Sequence, residues 1–215
     1  MAKKIGILGG TFNPIHFGHL RIAEEIAENL ALDEVRFIPS AQPPHKPAPQ
    51  VSAQHRANMV KLAIQNNPAF VLDDCELNRE GASYTIDTLT DLRKKLGAQV
   101  GLFLIMGSDA FAHFNTWHRW QEILDDCHIV LVQRPHHESL MENFSAEMKD
   151  FFETHTQKTF PNLQEKAAGS IITQTITPLA ISSTDIRERR QSKKSVRYLL
   201  PPDVLNYIET HQLYI

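Results

Sequence analysis

The chain has 215 residues, a net charge of −3, 42% hydrophobic and 22% charged residues. A chain of this length can bury about 70% of its unfolded surface, so it needs no disulfide or metal staple. The composition excludes a disordered or fibrous chain, and the charge balance offers no basic face for bulk nucleic acid.

Cys75 and Cys127 form no CxxC pair, which favours a reducing compartment. Met-Ala-Lys-Lys leads into an apolar run of only Ile5 to Leu8, short of the ~7–15 residues of a signal peptide. No stretch approaches the ~20 apolar residues of a membrane span. The expectation is a cytoplasmic protein of one domain, residues 1–215, without membrane or nucleic-acid partners. The pattern carries no signature of an oligomeric state.

Ile5–Leu8 reads as a buried strand ended by Gly9-Gly10. Leu20, Ile22, Ala23, Ile26, Ala27 and Leu30 then recur at helical spacing over 18–30. Residues 35–39 read as a second strand, and the proline-rich 42–49 as a loop with polyproline character. A helix is predicted over 53–65 and a strand over 70–72. Ser83 reads as an N-cap for a helix over 84–96. Residues 100–106 are nearly all apolar, as in a central strand covered on both faces. A helix over 117–124, a strand over 128–133, a helix over 138–155, a strand over 170–175 and closing helices over 182–191 and 202–211 complete the chain. Strands alternating with helices predict an α/β fold, a mostly parallel sheet with helices on both faces. In such sheets ligands bind beyond the carboxyl ends of the strands.

The strongest signal is Gly9-Gly10-Thr11-Phe12-Asn13-Pro14-Ile15-His16-Phe17-Gly18-His19, where the first strand hands over to the first helix. A helix N-terminus offers free N–H groups and partial positive charge to a phosphate. His16 and His19 stand three residues apart and can share one face of the first turn. Gly18 between them leaves room for a bulky ligand. Imidazolium groups there suit a polyphosphate that gains charge in a transition state. Other phosphate motifs fail on spacing: GxxxxGK[ST] is absent, and no two glycines stand two apart as GxGxxG requires.

The run His16-Phe17-Gly18-His19 resembles the HxGH signature of nucleotidyltransferases. Pro43-Pro44-His45-Lys46, Ser83 to Leu89, Gly107-Ser108-Asp109 and Ile181 to Arg187 follow in order. Together they resemble bacterial nicotinate mononucleotide adenylyltransferases over essentially the whole chain. The resemblance implies a Rossmann-like nucleotidyltransferase fold and adenylyl transfer from ATP to nicotinate mononucleotide, with Mg²⁺ held through the ATP phosphates and not by a protein site.

The resemblance also implies roles. His16, His19 and Arg187 would act on the phosphates during transfer. Gly9, Gly10, Thr11, Phe12, Gly107, Asp109, Ile181, Ser182 and Ser183 would complete the ATP site, the segment from about 182 to 215 closing it. Lys46, Tyr84, Thr85, Trp117 and Arg134 would take nicotinate mononucleotide. Tyr84 and Thr85 would turn backbone N–H groups toward the nicotinate carboxylate, which predicts preference for the acid over the amide. Trp117 would stack on the pyridine ring, and Trp120 is read as core. Arg189, Arg190, Lys193, Lys194 and Arg197 read as a solvated basic face. His136-His137 stand where the family often has glycine, and Ser40 is left without a role. Other superfamily transferases and a non-catalytic nucleotide binder are the competing readings.

Overall fold

A computed structural model describes residues 2–43, 49–133, 141–142, 144–156 and 166–215. Its elements are β1 (Lys4–Gly10), α1 (Phe17–Leu30), β2 (Glu34–Pro39), α2 (Ala53–Ile64), β3 (Phe70–Leu72), α3 (Thr85–Leu96), β4 (Gly101–Gly107), α4 (Ser108–Ala112), α5 (Ile123–Asp126), β5 (His128–Gln133), α6 (Ala146–His155), β6 (Ile171–Thr175), α7 (Ser183–Gln191) and α8 (Pro202–Thr210).

The six strands form one sheet in the order β3-β2-β1-β4-β5-β6, and each neighbouring pair is parallel. The fold is α/β, Rossmann-like and doubly wound. The strand order reverses between β1 and β4, so a crevice opens beyond their carboxyl ends.

Side-chain alternation along the central strand builds two cores. Phe103 and Ile105 of β4 pack with Ala23 and Ile26 of α1, Met59 of α2, Ile186 of α7 and Ile208 of α8. Leu102, Leu104 and Met106 pack with Ile86, Leu89 and Leu92 of α3, Phe111 of α4 and Met148 of α6. An all-apolar strand is what a sheet covered on both faces requires.

Three local expectations are corrected. Tyr84, not Ser83, caps α3. The Ser83 hydroxyl instead accepts the N–H groups of Ala41 (3.0 Å) and Gln42 (3.1 Å). The helix expected over 117–124 is broken. Trp117 leaves a 3-10 turn (Phe114–Thr116) with extended geometry, and Arg119 sits at φ 51°, which a right-handed helix cannot continue through. A second 3-10 turn, Trp120–Glu122, then leads into α5. Finally, α6 starts only at its cap Ser145, whose hydroxyl accepts from Met148 N–H; residues 138–140 lie outside the described ones.

Candidate active site

The turn after β1 is shaped by its aromatic residue. Phe12 has φ 45° and is 2% exposed. A Cβ at Gly10 would stand 3.3 Å from the Phe12 ring, so glycine there makes room for it. The ring meets His19 edge-on, centroids 5.1 Å apart. His16 is the N-cap of α1, and its backbone N–H donates to His19 Nδ1 at 3.3 Å. That bond places the proton of a neutral His19 on Nε2. The two imidazoles lie 3.8 Å apart, tilted by 32°. The first turn of α1 holds no acidic residue, which keeps its N-terminal field open to an anion.

His16 is buried, and its Nδ1 has no hydrogen-bond partner among the described residues. Burial pulls its pKa down to about 4. The unliganded His16 is therefore neutral near pH 7, and the imidazolium expected from the sequence has to come with an anion. Gly18 has a different use from the one expected. A Cβ there would meet the His16 ring at 2.9 Å, so the glycine admits the imidazole.

The loop from Thr11 to Phe17 is gripped from outside. Ser183 Oγ donates to Pro14 O (2.8 Å), Arg187 Nη1 to Asn13 O (2.8 Å), Tyr214 Oη to Asn13 Oδ1 (2.7 Å) and Phe17 N–H to Leu199 O (3.1 Å). The Arg56 guanidinium donates to Thr11 O (2.6 Å) and to Ser40 O (2.7 Å). The residues after α7 begins thus hold the segment that carries the histidines.

Beyond β1 and β4 lies a cavity of about 670 Å³, within the usual range for a small-molecule site. Gly9, Gly10, Thr11 and His19 line it from the β1 turn and the start of α1, with Gly107 at the end of β4. Tyr84, Thr85 and Trp117 line it as well, with Ser40, His113 and His118; α1 packs in one core and Tyr84 and Trp117 against the other. The His118 ring packs on Tyr84, centroids 4.4 Å apart. The α3 N-terminus therefore opens onto the cavity, although Asp87 in its first turn weakens the field there. Glu76 is the one carboxylate among the described lining residues. Thr88 Oγ1 donates to its Oε1 at 2.8 Å, while buried Oε2 has no hydrogen-bond partner among the described residues. Burial raises the Glu76 pKa above the usual carboxylate range.

The other expected site residues are placed as follows. Phe12 and His16 are buried behind the loop. Asp109 is exposed in the first turn of α4, two residues from Gly107. Ser182 caps α7 and accepts Asp185 N–H at 3.1 Å. Ser183 and Arg187 reach the histidine loop as above. Ile181 lines a separate shallow groove with Phe17 and Leu20. Lys46, Arg134, His136 and His137 lie outside the described residues. Trp120 packs against the core through Phe114 and Phe151.

Arg56, Tyr214, Glu76, His113 and His118 were not singled out from the sequence. Arg56 reads there as an ordinary helix cation, and Tyr214 carries no motif. Only the fold brings them to the site.

A strand-ending glycine turn, a helix N-terminus with two stacked imidazoles, and a crevice at the sheet's reversal define a nucleotidyltransferase. In agreement, a family model described as cytidylyltransferase-like matches residues 7–189. A protein of Dechloromonas aromatica named "Probable nicotinate-nucleotide adenylyltransferase" is 45% identical over 214 residues, covering 100% of this chain and 99% of the relative. One of the same name from Pseudomonas fluorescens is 47% identical, with 100% and 98% covered. The chain belongs to the nicotinate-nucleotide adenylyltransferase family. The fold is shared with Plasmodium falciparum nicotinic acid mononucleotide adenylyltransferase complexed with NaAD. That structure superposes with a TM-score of 0.74 at 19% identity, covering 99% of this chain and 97% of that one.

Proposed function

We propose that the cavity joins its two substrates through the two helix N-termini that open onto it. The adenylyl group of ATP passes to nicotinate mononucleotide. A 5′-phosphate oxygen of the mononucleotide bonds to the α-phosphorus, the bond from that phosphorus to the β-bridging oxygen breaks, and pyrophosphate leaves. Nicotinate adenine dinucleotide is the product. Nothing in this requires a covalent enzyme intermediate, so rate comes from alignment and charge stabilisation.

The observation that supports the division of labour is that one cavity is lined both by His19 with the Gly9-Gly10-Thr11 turn and by Tyr84, Thr85 and Trp117, α1 packing in one core and Tyr84 and Trp117 against the other. His16 and His19 hold charge on the α-phosphate. Arg187 and Ser183 take the β- and γ-phosphates while anchored to the loop, and Asp109 takes a ribose. The α3 N–H groups hold the nicotinate carboxylate, Trp117 stacks on the pyridine, and Lys46 and Arg134 take remaining anionic groups. The divalent metal is Mg²⁺ and arrives on the ATP phosphates; among the described lining residues Glu76 is the one carboxylate. Residues 1–215 act as one domain, with 182–215 completing the ATP side. Among the described residues no helix is long and apolar enough to cross a membrane, and the setting we assign is the cytoplasm.

A pyrophosphate-release assay with ATP and Mg²⁺ tests this, with nicotinate mononucleotide, nicotinamide mononucleotide and phosphopantetheine as parallel acceptors. Turnover with the first alone is the expected result. Equal turnover with the first two would remove the carboxylate role of α3. Turnover with none, from folded protein that binds ATP, would favour a non-catalytic nucleotide binder.

A further inference from the structure

Arg56 of α2 is 1% exposed. A guanidinium keeps its charge and offers five N–H donors in a planar fork. Buried charge is normally paired, yet among the described residues no carboxylate pairs with Arg56; the titratable group acting on it is the Tyr214 phenol, which burial keeps neutral. Its hydrogen bonds go to backbone carbonyls. Nη1 donates to Thr11 O at 2.6 Å, Nη2 to Ser40 O at 2.7 Å and Ala41 O at 3.4 Å, and Nε to Val51 O at 3.3 Å.

Those acceptors belong to two loops, the one after β1 and the one after β2. Thr11 follows β1 and opens the histidine loop. Ser40 follows β2, and the next two residues give their N–H groups to Ser83, which precedes the cap of α3. Both Thr11 and Ser40 line the cavity. One guanidinium therefore links the turn to which we assign the triphosphate with the loop that leads, through Ser83, to the helix to which we assign the pyridine carboxylate.

We infer that Arg56 is a positioning residue for adenylyl transfer, setting the spacing of the two substrate loops so that the acceptor phosphate meets the α-phosphorus in line. It touches neither substrate and acts through Thr11 and Ser40. An in-line displacement is sensitive to such spacing, because a misplacement of ~1 Å can cost ~10²-fold in rate. The inference rests on the reaction proposed above.

The test is Arg56→Lys, which keeps the charge but not the fork that reaches both loops. Its kcat is expected to fall at least about 30-fold. The separate dissociation constants of ATP and of nicotinate mononucleotide should each stay within about threefold. Millimolar guanidinium should restore part of the turnover of Arg56→Ala, and ammonium should not. A kcat in Arg56→Lys within about threefold of wild type overturns the inference. So does loss of both binding affinities in step with kcat, which marks a collapsed site. Wild-type turnover in the same assay tests the reaction itself, and the variant-to-wild-type ratio tests Arg56. Amide exchange on the wild type decides the matter should the variants not fold. The two loops should open as one unit, and independent opening overturns the inference.

Discussion

The Tyr214 hydroxyl donates to Asn13 Oδ1 across 2.7 Å, fastening the segment after α8 to the loop that carries His16. The Tyr214 ring is buried in the core of the α1 face, and the same asparagine gives its carbonyl to Arg187. Tyr214→Phe keeps the packing and strands the Asn13 oxygen. The expected cost is about 1–2 kcal/mol, a melting temperature lower by roughly 2–8 °C for a chain of this size. Turnover should fall with it as the loop loosens. Thermal melting and kcat on the same preparation check this. A variant as stable as wild type would show that the bond contributes nothing net.

The stacked imidazoles predict a proton linkage. His16 has a folded pKa of about 4 because burial disfavours its charged form, against about 6.5 in the unfolded chain. The unfolded state therefore binds the extra proton. Stability from the neutral ring is present above about pH 6.5 and is lost as pH falls toward 4, up to ~3 kcal/mol in all. The pH slope of urea unfolding, compared with that of His16→Gln, measures it. An anion at the helix N-terminus reverses the preference, so ATP binding near about pH 6 should take up a fraction of a proton. Calorimetry in two buffers of different ionisation heat reads that uptake. Its absence would leave His16 without an imidazolium role.

His19 lines the cavity with Nε2 as its N–H donor, and one such preorganised donor is worth about 10²–10³ in rate. His19→Ala should lose that factor in kcat at saturating substrates. ATP affinity, measured by titration, should weaken far less. Turnover within a few-fold of wild type would take the transition-state role away from His19.

Trp117 lines the same cavity as His19, its ring 5.4 Å from that of Phe114. Stacking of an aromatic side chain on a planar base is worth about 1–3 kcal/mol. Trp117→Ala should therefore raise the KM for nicotinate mononucleotide by roughly 5- to 150-fold and leave that for ATP nearly unchanged. Equal rises in both would place the ring in the general packing of the cavity.

Local signals located most of this site. The β1 turn, the HxGH residues and the strand pattern are dictated within short windows, so strands 70–72 and 128–133 fall where the alternation and apolar runs place them. The break at Arg119 is not local in that sense, since its positive φ belongs to a residue whose type gives no warning. Ser83 has the chemistry of a cap and spends it on the neighbouring loop. Arg56 and Tyr214 are invisible in sequence for the same reason. Their partners are the carbonyl of Thr11 and the side chain of Asn13, and which carbonyl or amide a buried donor meets is fixed only by the packing of α2 and α8 on the sheet. A pattern of residue types marks Ser183 and Arg187, which hold the histidine loop, and leaves out Arg56 and Tyr214, which hold it too.

Glu76 offers the last prediction, because the cavity gives it two opposed demands. It is 7% exposed, Thr88 serves one oxygen, and burial raises its pKa. For a carboxyl whose folded pKa is raised, stability is present below the unfolded pKa and is lost as pH rises through the folded one. Glu76→Gln removes that loss. The difference in melting temperature between variant and wild type should therefore move in the variant's favour from about pH 5 to about pH 8, whatever its value at the start. Tyr84 and Thr85 line the same cavity, and with the nicotinate carboxylate held there as proposed, an ionised Glu76 would repel it. In Glu76→Gln the KM for nicotinate mononucleotide should fall relative to wild type at the higher pH, with the KM for nicotinamide mononucleotide little altered. Parallel pH profiles for the two proteins, in melting and in KM alike, would mean that Glu76 stays ionised in the fold and that the Thr88 hydrogen bond and the nearby Arg79 charge offset its burial.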